Sequence, residues 1–216
     1  MERGVFLTLD KYKDWIYKKT EPIVRFIGDR ITPNQISLLS ILCAFLAGLL
    51  IFISRLNVFF LWISLFFIFL NGFLDIIDGG LARYLHIESR RGDFLDHILD
   101  RYSDIFMLSG VFFAGYCSPE TLGYLVSELI GISAIVGVLL TSYVATQAEA
   151  VGLKRNYGGL LGRSDRIIIL SIFIILQALI GEIGGIDMLT FMMIFFAIVC
   201  NITAIQRFFY AWKRLN

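Results

Sequence analysis

The chain has 216 residues, of which 57% are hydrophobic and only 17% charged, well under the roughly 25% usual for soluble domains, so an ordinary soluble globular fold is excluded. The net charge of +1 says little by its total, and no nucleic-acid partner is expected. Cys43, Cys117 and Cys200 are isolated from one another, share no metal-ligand or redox spacing, and read as structural thiols.

Residues 1–30 show no signal-peptide pattern, because their charge is mixed and no small-residue cleavage site follows the first apolar run. Leu9, Tyr12, Trp15, Ile16 and Ile23 lie among lysines and acids, which predicts an amphipathic helix in the membrane interface. "TPNQ" at 32–35 opens the first span, with Thr32 as N-cap and Pro33 at the first helical position. Uncharged runs at 31–54, 56–74, 105–119, 129–148, 167–181 and 188–206 approach the ~20 residues a spanning helix needs. The expected fold is all-α and integral to the membrane: a single domain over 1–216, with an interfacial helix in 1–30 and six transmembrane helices in 31–212.

Helix two is expected to end near Asp75 and helix three to begin near Gly92, with "YLHIESRR" as the turn between them. Helix four covers about 121–150, a charged loop "AVGLKRNYGGLLGRSDR" follows, and helices five and six close the bundle. With the N-terminus cytoplasmic, every Lys and Arg except Arg55 falls on the cytoplasmic side, 18 of 19, which sets the orientation. The protein is therefore expected in the cell membrane as a multi-pass protein, with both termini and any chemistry on the cytoplasmic side.

Asp75 and Asp78 are three apart and Asp96 and Asp100 four apart, so each pair shares one helical face. A hairpin of helices two and three would gather four carboxylates in a poorly hydrated place, where they must protonate or bind cations. Oxygen ligands alone call for hard cations, two Mg²⁺ with Mn²⁺ able to replace them. Gly79, Gly80, Ala82 and Gly92 leave room for a bulky group to approach, and Arg83 is placed to grip phosphate. Metals, small residues and an arginine together describe a pyrophosphate site.

The stretch "DIIDGGLARYLHIESRRGDFLDHILD" at 75–100 reads DxxDGxxAR, eight residues, then GxxxDxxxD. It resembles, without a gap, the motif of the CDP-alcohol phosphatidyltransferase family, and the resemblance extends over the whole chain through the interfacial helix and six spans. It implies that Asp75, Asp78, Asp96 and Asp100 are the metal-site aspartates and that Asp100 is also the general base. It further implies that Gly79, Ala82, Arg83, Ser89 and Gly92 receive the CDP group, with Thr32, Pro33, Asn34 and Gln35 approaching the nucleotide from helix one. A homodimer is implied by the same analogy. Asp93 and Asp104 continue the face of Asp96 and Asp100 and read first as ion-pair or structural residues, while His86, Glu88 and His97 read as non-catalytic.

The segment "SYVATQAEAVGLKRNYGGLLGRSDRIIIL" at 142–170 resembles the acceptor region of members that use inositol phosphate or glycerol phosphate. Arg163 and Arg166, aided by Lys154 or Arg155, would hold an acceptor phosphate. Ala145 and Gln147 stand where inositol-phosphate members carry basic residues. The likeness is greatest to archaeal and actinobacterial inositol-phosphate synthases. The implied reaction moves a lipid phosphate from a CDP-lipid, CDP-archaeol or CDP-diacylglycerol, to myo-inositol 1-phosphate with release of CMP. Glycerol 3-phosphate is the alternative acceptor. A CDP-inositol donor giving di-myo-inositol phosphate is a second alternative, associated with a fused cytidylyltransferase segment that these residues do not contain. From a different class, a divalent-cation transporter would need polar groups near the bilayer midplane, and the outer halves of the helices are nearly featureless.

Overall fold

The structure is a computed structural model that describes residues 13–28, 30–117, 122–153 and 159–215. In chain order its helices are α1 (Lys13–Ile27), α2 (Pro33–Phe52), α3 (Phe59–Tyr84), α4 (Arg90–Phe113), α5 (Tyr124–Ala150), α6 (Arg163–Leu179) and α7 (Met188–Trp212). A short 3₁₀ turn, Ile53–Arg55, follows α2. A two-residue antiparallel pair, β1 (Glu182–Ile183) and β2 (Ile186–Asp187), joins α6 to α7 in the register Glu182↔Asp187 and Ile183↔Ile186. Two compact units divide the chain, one over Leu9–Gly110 and the other taking in Val111–Asn216.

The Pro33–Arg55 stretch, α3, α5 and α7 are each long and apolar enough to cross a bilayer. The remaining two expected spans coincide with α4, whose 24 residues include many charges, and α6, which has 17 residues.

In the first unit α2 starts where local chemistry predicts. Gln35 N donates to the Thr32 hydroxyl at 3.4 Å and Thr32 N donates to Gln35 Oε1 at 2.9 Å, a capping box that satisfies two otherwise orphaned amides. α3 runs nine residues past the expected end at Asp75. Two consecutive glycines cost roughly 1 kcal/mol each in a helix, but Ile77 and Leu81 on either side of them are buried against Val24 of α1 and Ile36 of α2. The helix closes instead at His86, whose φ of 54° is left-handed. There Ile87 N donates to Ala82 O at 3.1 Å and His86 N to Arg83 O at 3.2 Å, a Schellman-type ending.

α2 also crosses α4 closely: a methyl on Gly48 would strike the carbonyl of Phe106, and one on Gly110 would strike that of Gly48. Small residues let helix backbones meet where lipid supplies no hydrophobic drive to associate them.

The second unit is held by α5 and α7. Gly131 lies against the Phe112 ring and Gly137 against Asn201. Thr141 Oγ1 donates to Cys200 O at 2.8 Å, and Asn201 Nδ2 donates to Ser133 O at 3.0 Å. At the hairpin end, Gln177 Nε2 donates to Asp187 Oδ1 at 2.9 Å and Leu189 N donates to Gln177 Oε1 at 3.1 Å. The three cysteines are buried thiols, as their spacing suggested.

Candidate active site

Leu9–Gly110 contains every aspartate singled out in the sequence. Asp75 and Asp78 lie inside α3, six to nine residues short of its end at Tyr84 rather than at its terminus. Asp75 is half-buried and Asp78 only 6% exposed. An ionised carboxylate in such a place needs hydrogen-bond donors, and α2 supplies one: Ser37 Oγ donates to Asp78 Oδ2 at 2.7 Å. Asp75 and, from α4, Asp96 both act electrostatically on Asp78, which places carboxylates of α3 and α4 in one field.

On α4, ligand atoms of Asp96, His97 and Asp100 all lie within 4.8 Å of one another. Asp100 is buried at 7% exposure, and Arg101 Nη1 lies 3.2 Å from its Oδ2. His97 Nε2 is 3.3 Å from Asp93 Oδ1, and Asp104 is buried one turn further along. Repelling carboxylates with one imidazole beside them form a donor set that suits a hard divalent cation and accommodates Mn²⁺.

The small residues frame this cluster. A methyl on Gly79 would sit 3.5 Å from Arg83 Nη2, so the guanidinium folds back over that glycine. Ala82 and Gly92 are half-buried. Ser89 has a structural task, because its hydroxyl accepts from Gly92 N at 3.1 Å and caps the start of α4. Thr32, Asn34 and Gln35 are exposed and Pro33 half-buried, one turn before Ser37. Ser37 also lies 3.1 Å from the Pro33 carbonyl.

The second unit carries Arg163, half-buried, and Arg166, 4% exposed, in the first turn of α6, which Asp165 Oδ2 caps by accepting from Gly162 N at 2.8 Å. Ala145 is buried and Gln147 exposed on α5. Lys154 and Arg155 lie outside the described residues, as do Leu9 and Tyr12 of the expected interfacial helix.

Three polar residues escaped the sequence reading. Ser37 and Asn71 are buried in apolar helices, and Arg207 is 8% exposed with its Nη1 donating to Thr141 O at 2.7 Å. A polar side chain within or at the end of an apolar run is the signal that marks each of them.

The sequence profile of the CDP-alcohol phosphatidyltransferases matches residues 30–212. The chain belongs to that family. It is a membrane transferase of the phospholipid-biosynthetic kind, and a CDP-alcohol with an alcohol acceptor is the family's kind of substrate pair. Among its relatives, the archaetidylinositol phosphate synthase of Pyrococcus horikoshii is 33% identical over 186 residues, 86% of both chains. That of Methanothermobacter thermautotrophicus is 33% identical over 147 residues, 66% of both chains. The bifunctional IPC transferase and DIPP synthase of Aquifex aeolicus is 28% identical over 199 residues, 91% of this chain and 42% of that one.

The fold is shared with the phosphatidylinositol phosphate synthase of Mycobacterium tuberculosis. With CDP-DAG bound, that protein superposes with a TM-score of 0.74 at 24% identity, covering 89% of this chain and 93% of that one. The same protein has been crystallised in complex with manganese and citrate.

Proposed function

We propose that this transferase moves a lipid phosphate from a CDP-lipid to myo-inositol 1-phosphate, releasing CMP. The observation that carries the proposal is the carboxylate cluster of α3 and α4, in which Asp78 and Asp100 are buried, set within a motif shared with relatives that include inositol-phosphate synthases. Asp75, Asp78, Asp96 and Asp100 would hold two divalent cations, Mg²⁺ or Mn²⁺ in its place. When bound, such ions neutralise charge on the pyrophosphate and on departing CMP.

Asp100 takes the proton of the acceptor hydroxyl. The acceptor oxygen bonds to the lipid-bearing phosphorus as the bond to the bridging pyrophosphate oxygen breaks, and CMP leaves with that electron pair. Arg83 binds a donor phosphate, while Gly79, Ala82, Ser89 and Gly92 leave room for the CDP group. Thr32, Pro33, Asn34 and Gln35 line the approach of the nucleotide. Arg163 and Arg166, with Lys154 and Arg155, hold the acceptor phosphate, and buried Arg166 is the strongest of these because a desolvated guanidinium grips an anion in two-pronged fashion.

The membrane arrangement belongs to the same proposal: one domain of six spans in a homodimer, with α1 in the interface and both termini and the site cytoplasmic. The exposed Ile23 and Phe26 on α1, beside its Val24 packed on α2 and α3, support an interfacial seat for that helix.

A second reading has one observation in its favour. The Aquifex aeolicus bifunctional protein aligns with 91% of this chain, which suits CDP-inositol as donor. The test is CMP release by purified protein from CDP-archaeol, CDP-diacylglycerol or CDP-inositol, with inositol 1-phosphate, glycerol 3-phosphate and serine as acceptors and EDTA as control. Release from a CDP-lipid with inositol 1-phosphate, abolished by EDTA, is expected. Release only from CDP-inositol, or only with another acceptor, would replace the proposed reaction.

A further inference from the structure

Asp78 combines deep burial with two negative neighbours, Asp75 and Asp96. The facing helix answers with the Ser37 hydroxyl, beside the backbone amide of Gly79 on α3 itself. Ser37 has one proton and two acceptors in reach, its own Pro33 carbonyl at 3.1 Å and Asp78 Oδ2 at 2.7 Å. The carbonyl one turn back is where a helical serine ordinarily rests, and the shorter, charge-assisted contact to the carboxylate is the stronger of the two.

The placement of Ser37 is itself fixed one turn deeper in the helix pair. Asn71 Nδ2 donates to Ser40 O at 3.0 Å and to Ser40 Oγ at 2.8 Å, while Ser40 Oγ donates to Asn71 O at 3.1 Å. Ser40 follows Ser37 by three residues and Asn71 precedes Asp78 by seven, so both contacts lie along the same seam between α2 and α3. Both Ser40 and Asn71 are buried, and rotation of either helix would break the clamp and the Ser37 contact together.

We infer that Ser37 is a positioning residue for the metal site: it holds Oδ2 of Asp78 and leaves the other carboxylate oxygen to face a divalent cation. The inference rests on the proposed reading of Asp78 as a metal-site carboxylate. Through the Pro33 carbonyl, the same hydroxyl also touches the segment proposed to meet the nucleotide.

The test is Mn²⁺ binding to detergent-purified protein, followed by electron paramagnetic resonance without donor or acceptor, alongside the Mg²⁺ dependence of CMP release. Ser37→Ala should weaken Mn²⁺ binding about tenfold to a hundredfold, the usual effect of removing a hydrogen bond to a ligand. It should raise the half-saturating Mg²⁺ concentration by a larger factor than it lowers maximal turnover. Ser37→Thr, which keeps the hydroxyl, should recover most of the loss. Should Ser37→Ala fail to fold, Ser37→Cys keeps a weak donor on a somewhat larger atom and should show a smaller loss in the same direction. Ser40→Ala should lower thermal stability with less effect on Mn²⁺ affinity. Wild-type Mn²⁺ affinity in Ser37→Ala, or an equal loss in Ser37→Thr, would overturn the inference. Asp78→Asn separates the two levels: if it binds Mn²⁺ as the wild type does, the metal-site reading fails, and if it loses binding while Ser37→Ala keeps it, only the positioning role fails.

Discussion

Replacing Gly48 by alanine puts two physical rules in opposition. Intrinsic helix propensity favours alanine over glycine by about 1 kcal/mol, which predicts a more stable protein. The α2–α4 crossing predicts the reverse. The added methyl would lie 2.7 Å from Phe106 C and 3.3 Å from Met107 N, and closer still to the Phe106 carbonyl oxygen. Carbon–carbon contacts settle at about 3.5–4.0 Å, so the helices must part by about 1 Å. With on the order of 20 atom pairs at ~0.1–0.2 kcal/mol each across such a seam, losing a quarter to a half of each well costs about 0.5–2 kcal/mol. Because the obstacle is backbone, which cannot rotate away, the total steric cost belongs at the upper end of the ~1–3 kcal/mol found for overpacking.

The net expectation is therefore a loss of about 1–2 kcal/mol, measured by reversible unfolding in mixed micelles. Gly72 provides the control, since a methyl there meets nothing within 4 Å and Gly72→Ala should not destabilise. Gly110→Ala strikes the same crossing from the other side, its methyl 2.9 Å from Gly48 C. Once the helices have parted for one methyl the second has room, so the double variant should cost less than the sum of the singles by at least ~1 kcal/mol. Gly48→Ala at or above wild-type stability, or strict additivity in the double variant, would refute the close crossing.

Asp100→Asn should abolish turnover in the CMP-release assay while nucleotide binding stays measurable by calorimetry; retained turnover would remove the general-base assignment. Arg166→Ala should raise the acceptor KM at least tenfold with little change in donor KM, and an unchanged acceptor KM would remove the phosphate-grip assignment. Thr32→Ala breaks the capping box at the start of α2 and should lower stability by about 1 kcal/mol in the same unfolding assay. It should also raise the donor KM, because the segment proposed to approach the nucleotide loses its anchored geometry.

The start of α2 was fully legible in the sequence, since Thr32, Pro33 and Gln35 act on one another within a single turn. The pairing of aspartates on helical faces was legible for the same reason, as spacings of three and four are properties of one helix. The end of α3 was not: the apolar run stops just before Asp75, and burial of Ile77 and Leu81 against two other helices carries the helix on to Tyr84. The hairpin at Glu182–Asp187 left too short a trace to be read.

What tertiary structure alone decided are the partners across helices. Ser37 and Asp78 are 41 residues apart in sequence, Ser40 and Asn71 31, and Arg207 and Thr141 66. Each of Ser37, Ser40, Asn71 and Thr141 sits in an apolar run that composition reads simply as span. Which residue it meets depends on the rotation and register of two packed helices, and those follow from the sum of many weak contacts along a seam, Gly48 against Gly110 among them, that no local pattern records. The sequence alone determined that this chain carries a metal-capable carboxylate motif into a membrane; packing determined which hydroxyl, amide and glycine hold that motif in place.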